Sequence, residues 1–428
     1  MNAYDISALV LPAEDAECIG IMTSAFQATL LSEQGILNAL KHPIWQKGEH
    51  SSLFNRIQPG ETCCIVVSDH TRKTAIDRVL PILLHGFSER GCHLEDMFIL
   101  IASGIHRHPT PAELKIILGK DVMKTFRNRI FFHNPDDENN LVSIGKTHRG
   151  HEVYINRLAV EARRLILIGA ALYHYHAGFC GGRKSLVPGL AARSTIASNH
   201  SLALEQKHNQ IHPAATIGIL KGNPVAEDML EGALLHKPDF IVNTVLTPDG
   251  SLAGIFAGDL NEAHLAACRL VERIYRINLK QEADFVIASA GSASNWIQSH
   301  KALFNAARAI KPNGRIILQA PCSEGLGDER FRYWVKKSTL NDIYSGLRKS
   351  LEVLGQTALS TRRHAEQTIL ISNLSQRDAS DLGMRTAPDL DTAIHEVLEH
   401  FQKHGIKKPA YYLMPDALYL VPFLPGQS

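Results

Sequence analysis

An unbroken apolar run in the middle of the chain constrains the fold more than any other feature. Leu165–Leu172 contains no polar side chain and shows no alternation. A strand with one face in water alternates, so this run predicts a strand buried on both faces of a parallel sheet. Ligands of such sheets bind at the carboxyl ends of the strands. We therefore expect a functional site directly after the run.

The segment that follows is the richest in reactive side chains. Tyr173–His200 combines three histidines with a glycine-rich loop and a lysine. Glycines let the backbone approach a bound group and expose its amide donors. His174 and His176 alternate, which on an extended segment predicts that they point the same way. The segment is consistent with metal ligation by neutral imidazole and with anion binding by the loop.

The loop also resembles a nucleotide-binding phosphate loop, GxxxxGK[ST]. Gly178 and Lys184 are in register with that pattern, but Arg183 stands where the pattern requires glycine. An arginine there would block the close wrap of the backbone around a phosphate. A looser anion-binding loop, with Arg183 and Lys184 near a phosphate, remains consistent with the sequence.

Two further predicted strands end in polar residues. The strand Thr62–Ser68 is followed by Asp69 and Arg72, and the next strand is followed by His106. The planar fork of Arg72 suits a carboxylate, and Asp69 can orient Arg72 or a neighbouring histidine. His106 and His174, at two strand edges, predict proton acceptors on opposite sides of one pocket. Inversion of a stereocentre needs such a pair.

Length and strand order predict two domains. A chain of 428 residues exceeds the size at which a single core usually stops growing. The succession of βα units predicts an α/β fold, with two α/β domains and mainly parallel sheets. We expect the domains to comprise residues 1–275 and 276–428. In the latter, Gln298 and Lys301 are spaced to share one helix face.

Composition excludes several classes of partner. The formal net charge is +2, which gives no case for nucleic acid. The apolar stretches are far shorter than the ~20 residues of a membrane span, and no signal peptide is apparent, so we expect no membrane partner and a cytoplasmic location. Seven cysteines without a CxxC pair predict reduced thiols. The 22 histidines are about twice the usual number and indicate metal or proton chemistry.

Several motifs together resemble the nickel-dependent lactate racemase family. The resemblance runs in order over roughly residues 30–320. The matching motifs are Asp69-His70-Thr71-Arg72, Gly104-Ile105-His106-Arg107, the loop Ala177–Ser185 with Pro188-Gly189, Asn199-His200, Gly222-Asn223-Pro224 and Gln298-Ser299-His300-Lys301-Ala302.

The resemblance implies a cofactor and a metal. It implies that Lys184 forms a thioamide with a nickel-pincer nucleotide, pyridinium-3-thioamide-5-thiocarboxylic acid mononucleotide, which separate cofactor-synthesis enzymes make. It also implies that His200 ligates the nickel, beside two sulfurs and one carbon of the pincer. Four further residues are expected to bind or support the cofactor, namely Asp69, Thr71, Gly181 and Gly182.

The implied activity is racemisation or epimerisation of a small 2-hydroxy acid. One of His106 and His174 takes the hydroxyl proton while the C2 hydride moves to the pyridinium ring, which leaves a planar 2-keto acid. The hydride can return to either face, and the other histidine serves the opposite hydroxyl orientation. The family implies a late tryptophan against the substrate, yet none follows Trp334, so the acid is left open. Three residues are implied to hold the substrate, namely Arg72, Gln298 and Lys301.

These implied roles divide the active site between the two predicted domains. Residues 1–275 would form a cofactor-binding, catalytic N-terminal domain, and residues 276–428, which contain Gln298 and Lys301, a substrate-closing C-terminal domain. The resemblance therefore implies an interdomain active-site cleft that closes about a hinge near 276–283.

Two other functions stay open at this level. A zinc-type hydrolase would use His174, His176 and His200. A non-catalytic binding protein would hold a nucleotide or a 2-hydroxy acid without turnover. The presence of both proposed acid/base histidines favours an enzyme, because a binding protein would not need them.

Overall fold

The computed structural model describes residues 6, 9–27, 29–48, 51–71, 73–205, 208–337, 339–350 and 352–426. Arg72 lies outside the described residues. The chain divides into two compact units, which we call the central and the terminal unit. The central unit comprises Gln27–Glu205 and Ile211–Arg273, and the terminal unit comprises Met1–Phe26, Gln206–Gln210 and Ile274–Ser428.

This division differs from the expected 1–275 and 276–428 at the amino terminus, where residues 1–26 belong to the terminal unit. The physical reason is the strand Glu17–Ile21, which pairs in parallel with Ala410–Met414 at the other end of the chain. Strands so far apart in the sequence pair through backbone hydrogen bonds, which neighbouring residues do not predict.

The central unit is built on a six-stranded sheet, as far as the chain is described. The apolar run predicted as a buried strand is the strand Arg164–Ala170, which has a parallel neighbour on each side. Leu252–Gly258, at one edge of the sheet, pairs with Phe240–Leu246 in an antiparallel manner, and the other described pairs of this sheet are parallel. The spatial order of the strands is Leu252–Gly258, Phe240–Leu246, Arg164–Ala170, Cys63–Ser68, Met97–Ala102 and Ile130–Phe132.

Helices and short ladders surround this sheet. The helix Glu33–Lys41 begins where Ser32 caps it by accepting from the backbone N–H of Gly35. The described helices are Glu33–Lys41, Ile76–Ser88, Pro111–Leu118, Lys120–Thr125, Arg157–Glu161, Arg183–Leu186, Arg193–Ser201, Pro224–Leu235 and Glu262–Tyr275, with 3₁₀ turns Leu53–Asn55, Leu94–Asp96 and Glu138–Asn140. Two-stranded ladders pair Leu141–Lys146 with Glu152–Asn156 and Tyr173–His174 with Gly178–Phe179.

The chain order of the central sheet reverses beside Cys63–Ser68. The next strands along the chain, beginning with Met97–Ala102, lie on one side of it, whereas Arg164–Ala170 and Phe240–Leu246 lie on the other. Loops that leave neighbouring strands at such a reversal diverge and open a crevice at the carboxyl edge. The loops after Cys63–Ser68 and Arg164–Ala170 therefore border the place where a ligand is expected.

The terminal unit has its own six-stranded sheet, in which the strand pairs are parallel. Its order is Glu17–Ile21, Ala410–Met414, Ala283–Ser289, Ile310–Gln319, Thr368–Ile371 and Arg385–Thr386, and a separate ladder pairs Arg276–Asn278 with Val421–Phe423. The described helices of this unit are Trp296–Ala306, Glu329–Val335, Leu340–Lys349, Val353–Arg362, Gln376–Leu382 and Leu390–Lys403, with a 3₁₀ turn at Ala307–Ala309.

The predicted class, α/β with mainly parallel sheets, is confirmed. The helices Leu340–Lys349 and Val353–Arg362 are separate elements. The strand Ile310–Gln319 pairs with Ala283–Ser289 through a register shift. No helix among the described residues is long and apolar enough to cross a membrane.

Candidate active site

Three neighbouring strands of the central sheet end in the residues that the sequence singled out. Asp69 follows the strand Cys63–Ser68, at the reversal. His106 follows its neighbour Met97–Ala102, and His174 follows its other neighbour, Arg164–Ala170. The loop that carries His106 is tied to the glycine-rich loop, because the backbone N–H of Gly104 donates to the carbonyl of Gly189 at 3.0 Å. The structure therefore brings these residues to one edge of one sheet.

Asp69 and His106 form a hydrogen-bonded pair. Asp69 is 3% exposed, and its Oδ2 lies 2.8 Å from Nδ1 of His106. Its Oδ1 accepts from the hydroxyl of Thr71 at 2.6 Å and from the backbone N–H of Thr71 at 3.0 Å. Burial alone would raise the pKa of Asp69, but the bonds from His106 and Thr71 outweigh it and hold the pKa below its usual value. Asp69 is therefore a carboxylate that orients the His106 ring.

His174 stands at the start of a tight turn. It ends the short strand Tyr173–His174, and its Nδ1 accepts from the backbone N–H groups of His176 at 3.3 Å and Ala177 at 3.0 Å. The Tyr175 ring stacks on His174 and also contacts His176, with ring centroids 5.0 Å and 4.1 Å apart. The extended segment that this expectation assumed for His174 and His176 is absent, because residues 175–177 form a turn.

Lys184 and His200 lie on two helices that follow the glycines. The short helix Arg183–Leu186 carries the half-buried Lys184, and Arg193–Ser201 carries His200, which is 7% exposed. Burial, together with the positive charge of Lys184, lowers the pKa of His200 to about 4. Its Nδ1–H donates to the carbonyl of Ile196 at 2.9 Å, which places the lone pair on Nε2. A neutral imidazole with its second nitrogen held by a carbonyl is the usual state of a metal-ligating histidine.

Two buried residues that the sequence analysis missed form hydrogen bonds to the backbone of the glycine-rich loop. The Oδ1 atom of Asn243 accepts from the backbone N–H of Gly182 at 2.6 Å, and Nε2 of His264 donates to the carbonyl of Cys180 at 2.9 Å. Asn243 and His264 are both fully buried. The signal for Asn243 was available, because an amide inside the buried strand Phe240–Leu246 needs a specific partner.

Gln298 and Lys301 lie in the terminal unit, on the helix Trp296–Ala306. The Lys301 ammonium donates to Oε1 of Gln298 at 2.6 Å, so the two side chains share one helix face as predicted. Their role in substrate binding stays a prediction, as does that of Arg72.

No group of three or more His, Cys, Asp and Glu side chains in the described parts of the chain is arranged to hold a metal ion. His174, His176 and His200 consequently do not form the three-histidine centre that a zinc-type hydrolase would need.

Similarity to known proteins agrees with this architecture. Residues 4–212 match the lactate racemase N-terminal domain. A lactate racemase of Thermoanaerobacterium thermosaccharolyticum is 33% identical over 341 residues, which cover 78% of this chain and 77% of that protein. A lactate racemase of Lactiplantibacillus plantarum is 31% identical over 335 residues, 77% of this chain and 76% of that protein.

Solved structures support the same relationship. The lactate racemase apoprotein of T. thermosaccharolyticum superposes with a TM-score of 0.84 at 30% identity and covers 97% of each chain. A Thermotoga maritima protein shares the fold at 16% identity, with a TM-score of 0.66 over 93% of this chain and 100% of that one.

The fold and these similarities define an enzyme of the isomerase class, a racemase. The chain belongs to the lactate racemase family. The family and the class of reaction expected from the sequence motifs are thereby confirmed.

Proposed function

We propose that the protein is a nickel-pincer-nucleotide-dependent racemase or epimerase of a 2-hydroxy acid. The observation that carries the proposal is that His106 and His174 follow neighbouring strands at the reversal of one sheet, while Lys184 and His200 lie on the helices after the glycines, close enough for the charge of Lys184 to act on His200. These four residues offer two groups for proton transfer, one amine and one metal-ligating imidazole. Inversion of a carbon that bears a hydroxyl needs the first pair, and a tethered metal cofactor needs the other two.

The residues present fit the proposed cofactor. His200 is neutral, buried and bonded through Nδ1–H, so Nε2 suits nickel, and the charge of Lys184 is close enough to lower the pKa of His200. A single protein ligand suffices because the pincer brings its own sulfur and carbon donors. When bound, the group supplies the acceptor and donor of the C2 hydride. Four residues are proposed to support it, namely Asp69, Thr71, Gly181 and Gly182.

Protons on the substrate hydroxyl are assigned to the two histidines. Asp69 orients the ring of His106, because the carboxylate accepts from its Nδ1–H. His174 serves the hydroxyl in the opposite orientation. Loss of either ring should therefore remove inversion while leaving the fold intact.

The substrate is proposed to be held through its carboxylate. Arg72 and Lys301 supply positive charge, and the bond from Lys301 to Gln298 places an ammonium and an amide side by side. Lactate is one candidate because the relatives are lactate racemases. Longer and sugar-derived acids are candidates as well, since no tryptophan follows Trp334 in the sequence.

The test is a screen of single-enantiomer 2-hydroxy acids on protein made together with the cofactor-synthesis enzymes. Chiral chromatography should show the other enantiomer, or the epimer, for at least one acid. His106→Gln should lower kcat by roughly 10²–10⁴-fold, as expected for loss of an acid/base group. His85→Gln, at a largely exposed histidine, is the control and should keep full activity.

Tight binding of an acid without inversion, in protein that carries the cofactor, would instead support a non-catalytic binding protein. Equal rates for wild type and His106→Gln on an inverted acid would contradict the acid/base assignment.

A further inference from the structure

The two histidines proposed as acid and base differ in the bonds of their Nδ1 atoms. Nδ1 of His106 lies 2.8 Å from Oδ2 of Asp69. An ionised carboxylate only accepts hydrogen bonds, so the ring proton is on Nδ1. The lone pair of neutral His106 is therefore on Nε2. A proton taken up there leaves an imidazolium whose Nδ1–H still bonds to Asp69.

The second carboxylate oxygen is fixed by Thr71. Its backbone N–H and its hydroxyl both donate to Oδ1 of Asp69, at 3.0 Å and 2.6 Å. The hydroxyl oxygen also lies 3.4 Å from Nδ1 of His106. Because Thr71 holds one oxygen, the other is kept for His106.

His174 has the reverse arrangement. Its Nδ1 faces two donors, the backbone N–H groups of Ala177 at 3.0 Å and His176 at 3.3 Å. Only a lone pair can accept from them, so the proton of the neutral ring is on Nε2. A second proton on Nδ1 would face both N–H groups and break both bonds.

We infer that His106 and His174 are unequal partners. In the folded structure His106 accepts a proton at Nε2. His174 has an Nε2–H donor instead, and it accepts a proton only after the turn 174–177 releases its Nδ1. The inference rests on the proposed function and divides its proton chemistry between the two rings. In the forward step the substrate O–H bond breaks as the Nε2–H bond of His106 forms, and the Nδ1–H of His106 stays bonded to Asp69. A neutral Nε2–H at His174 can meanwhile hold and polarise a substrate oxygen.

A single substitution should remove this asymmetry. In Asp69→Asn the two donors of Thr71 keep an oxygen at the Oδ1 position, so the amide NH₂ replaces Oδ2. Nδ1 of His106 must then accept from the amide, and the ring proton moves to Nε2. His106 should thereby adopt the tautomer of His174, while His174 itself does not change.

Tautomers are measured directly by two-bond ¹H–¹⁵N NMR spectra of ¹⁵N-histidine-labelled protein without cofactor, at about pH 8, where ordinary imidazoles are neutral. The variants His106→Gln and His174→Gln assign each ring by loss of its signals, and the exposed His85→Gln controls for indirect shifts. We expect a proton on Nδ1 of His106 and on Nε2 of His174 in the wild type. We expect a proton on Nε2 of both rings in Asp69→Asn.

The inference is wrong if the two rings share one tautomer in the wild type, or if His174 carries its proton on Nδ1. The wild-type comparison decides alone if Asp69→Asn does not fold. The spectra need neither cofactor nor substrate, so they are independent of the screen. Opposite tautomers in a protein that inverts no 2-hydroxy acid would support the inference and reject the proposed function.

Discussion

Some histidines of this protein are candidate site residues, and others are buried, neutral parts of the core. Their number suggested metal or proton chemistry throughout, but burial makes several of them neutral parts of the core. In His133, Nε2 donates to the carbonyl of Ala191 at 3.0 Å, and Nδ1 accepts from Asn156 at 3.3 Å. Burial lowers the pKa of His133 to about 4. A count of histidines could not separate such a residue from His200, because the environments that distinguish them come from distant parts of the chain.

The neutral state of His133 predicts a pH dependence of stability. The unfolded ring binds a proton below its ordinary pKa of about 6.5, whereas the folded ring does not until about pH 4. The unfolded state therefore binds more protons in this window, and the free energy of unfolding falls as the pH is lowered from 6.5 to 4. A shift of this size corresponds to about 3 kcal/mol.

Urea unfolding at pH 7 and pH 4.5 measures this contribution. His133→Gln, which cannot titrate, should lose about 2–3 kcal/mol less than the wild type between the two conditions. His85→Gln, at an exposed histidine, should behave like the wild type. If His133→Gln and wild type lost the same free energy, burial of a neutral His133 would be refuted.

Gly181 of the glycine-rich loop and Gly222 of the separate motif Gly222-Asn223-Pro224 require glycine for different physical reasons. Gly181 has φ +127°, and a Cβ atom there would lie 2.6 Å from Cδ2 of His264. Gly222 also has positive φ, +78°, but a Cβ atom there would meet no atom within 4 Å. The pair separates the effect of backbone conformation from the effect of a clash.

Alanine substitutions should therefore differ. Gly222→Ala should cost about 1–2 kcal/mol, from the strained backbone alone. Gly181→Ala should cost more, because His264 must move and its bond to the carbonyl of Cys180 is lost. Denaturant unfolding gives the two values. Equal destabilisation by both substitutions would show that His264 does not pack against the loop as described.

The elements that sequence could predict are those with a local cause. The buried strand Arg164–Ala170 follows from its apolar run, and the helix Pro111–Leu118 follows from proline and the capping box of Thr110 and Glu113. The break between Leu340–Lys349 and Val353–Arg362 and the support of the loop by Asn243 have causes elsewhere in the fold. The candidate site residues were proposed because they follow predicted strands or match the family motifs, but their hydrogen bonds needed coordinates.

At the scale of the whole molecule, the two termini belong to one unit. Met22 is 2% exposed, and its backbone N–H donates to the carbonyl of Leu413 at 2.8 Å. Its neighbour Ile21 is 47% exposed. Loss of the buried Met22 side chain should therefore weaken the terminal unit by about 2–5 kcal/mol, and loss of Ile21 by less than about 0.5 kcal/mol.

Tryptophan fluorescence can report on that unit alone. Of the three tryptophans, Trp296 and Trp334 lie in the terminal unit and Trp45 lies in the central unit. In a Trp45→Phe background, Met22→Ala should lower the midpoint of the fluorescence transition, and Ile21→Ala should leave it nearly unchanged. Identical midpoints for the two variants would contradict the packing of the amino-terminal segment in this unit.

The central claim is that Lys184 anchors the cofactor of a 2-hydroxy-acid racemase at the edge of the central sheet. Intact-mass spectrometry of protein made with the cofactor-synthesis enzymes tests it most directly. The wild type and Lys221→Ala, at an exposed lysine, should carry the same added mass of one nucleotide adduct, and Lys184→Ala should carry none. An adduct of unchanged mass on Lys184→Ala, or no adduct on any of the three proteins, would contradict the account.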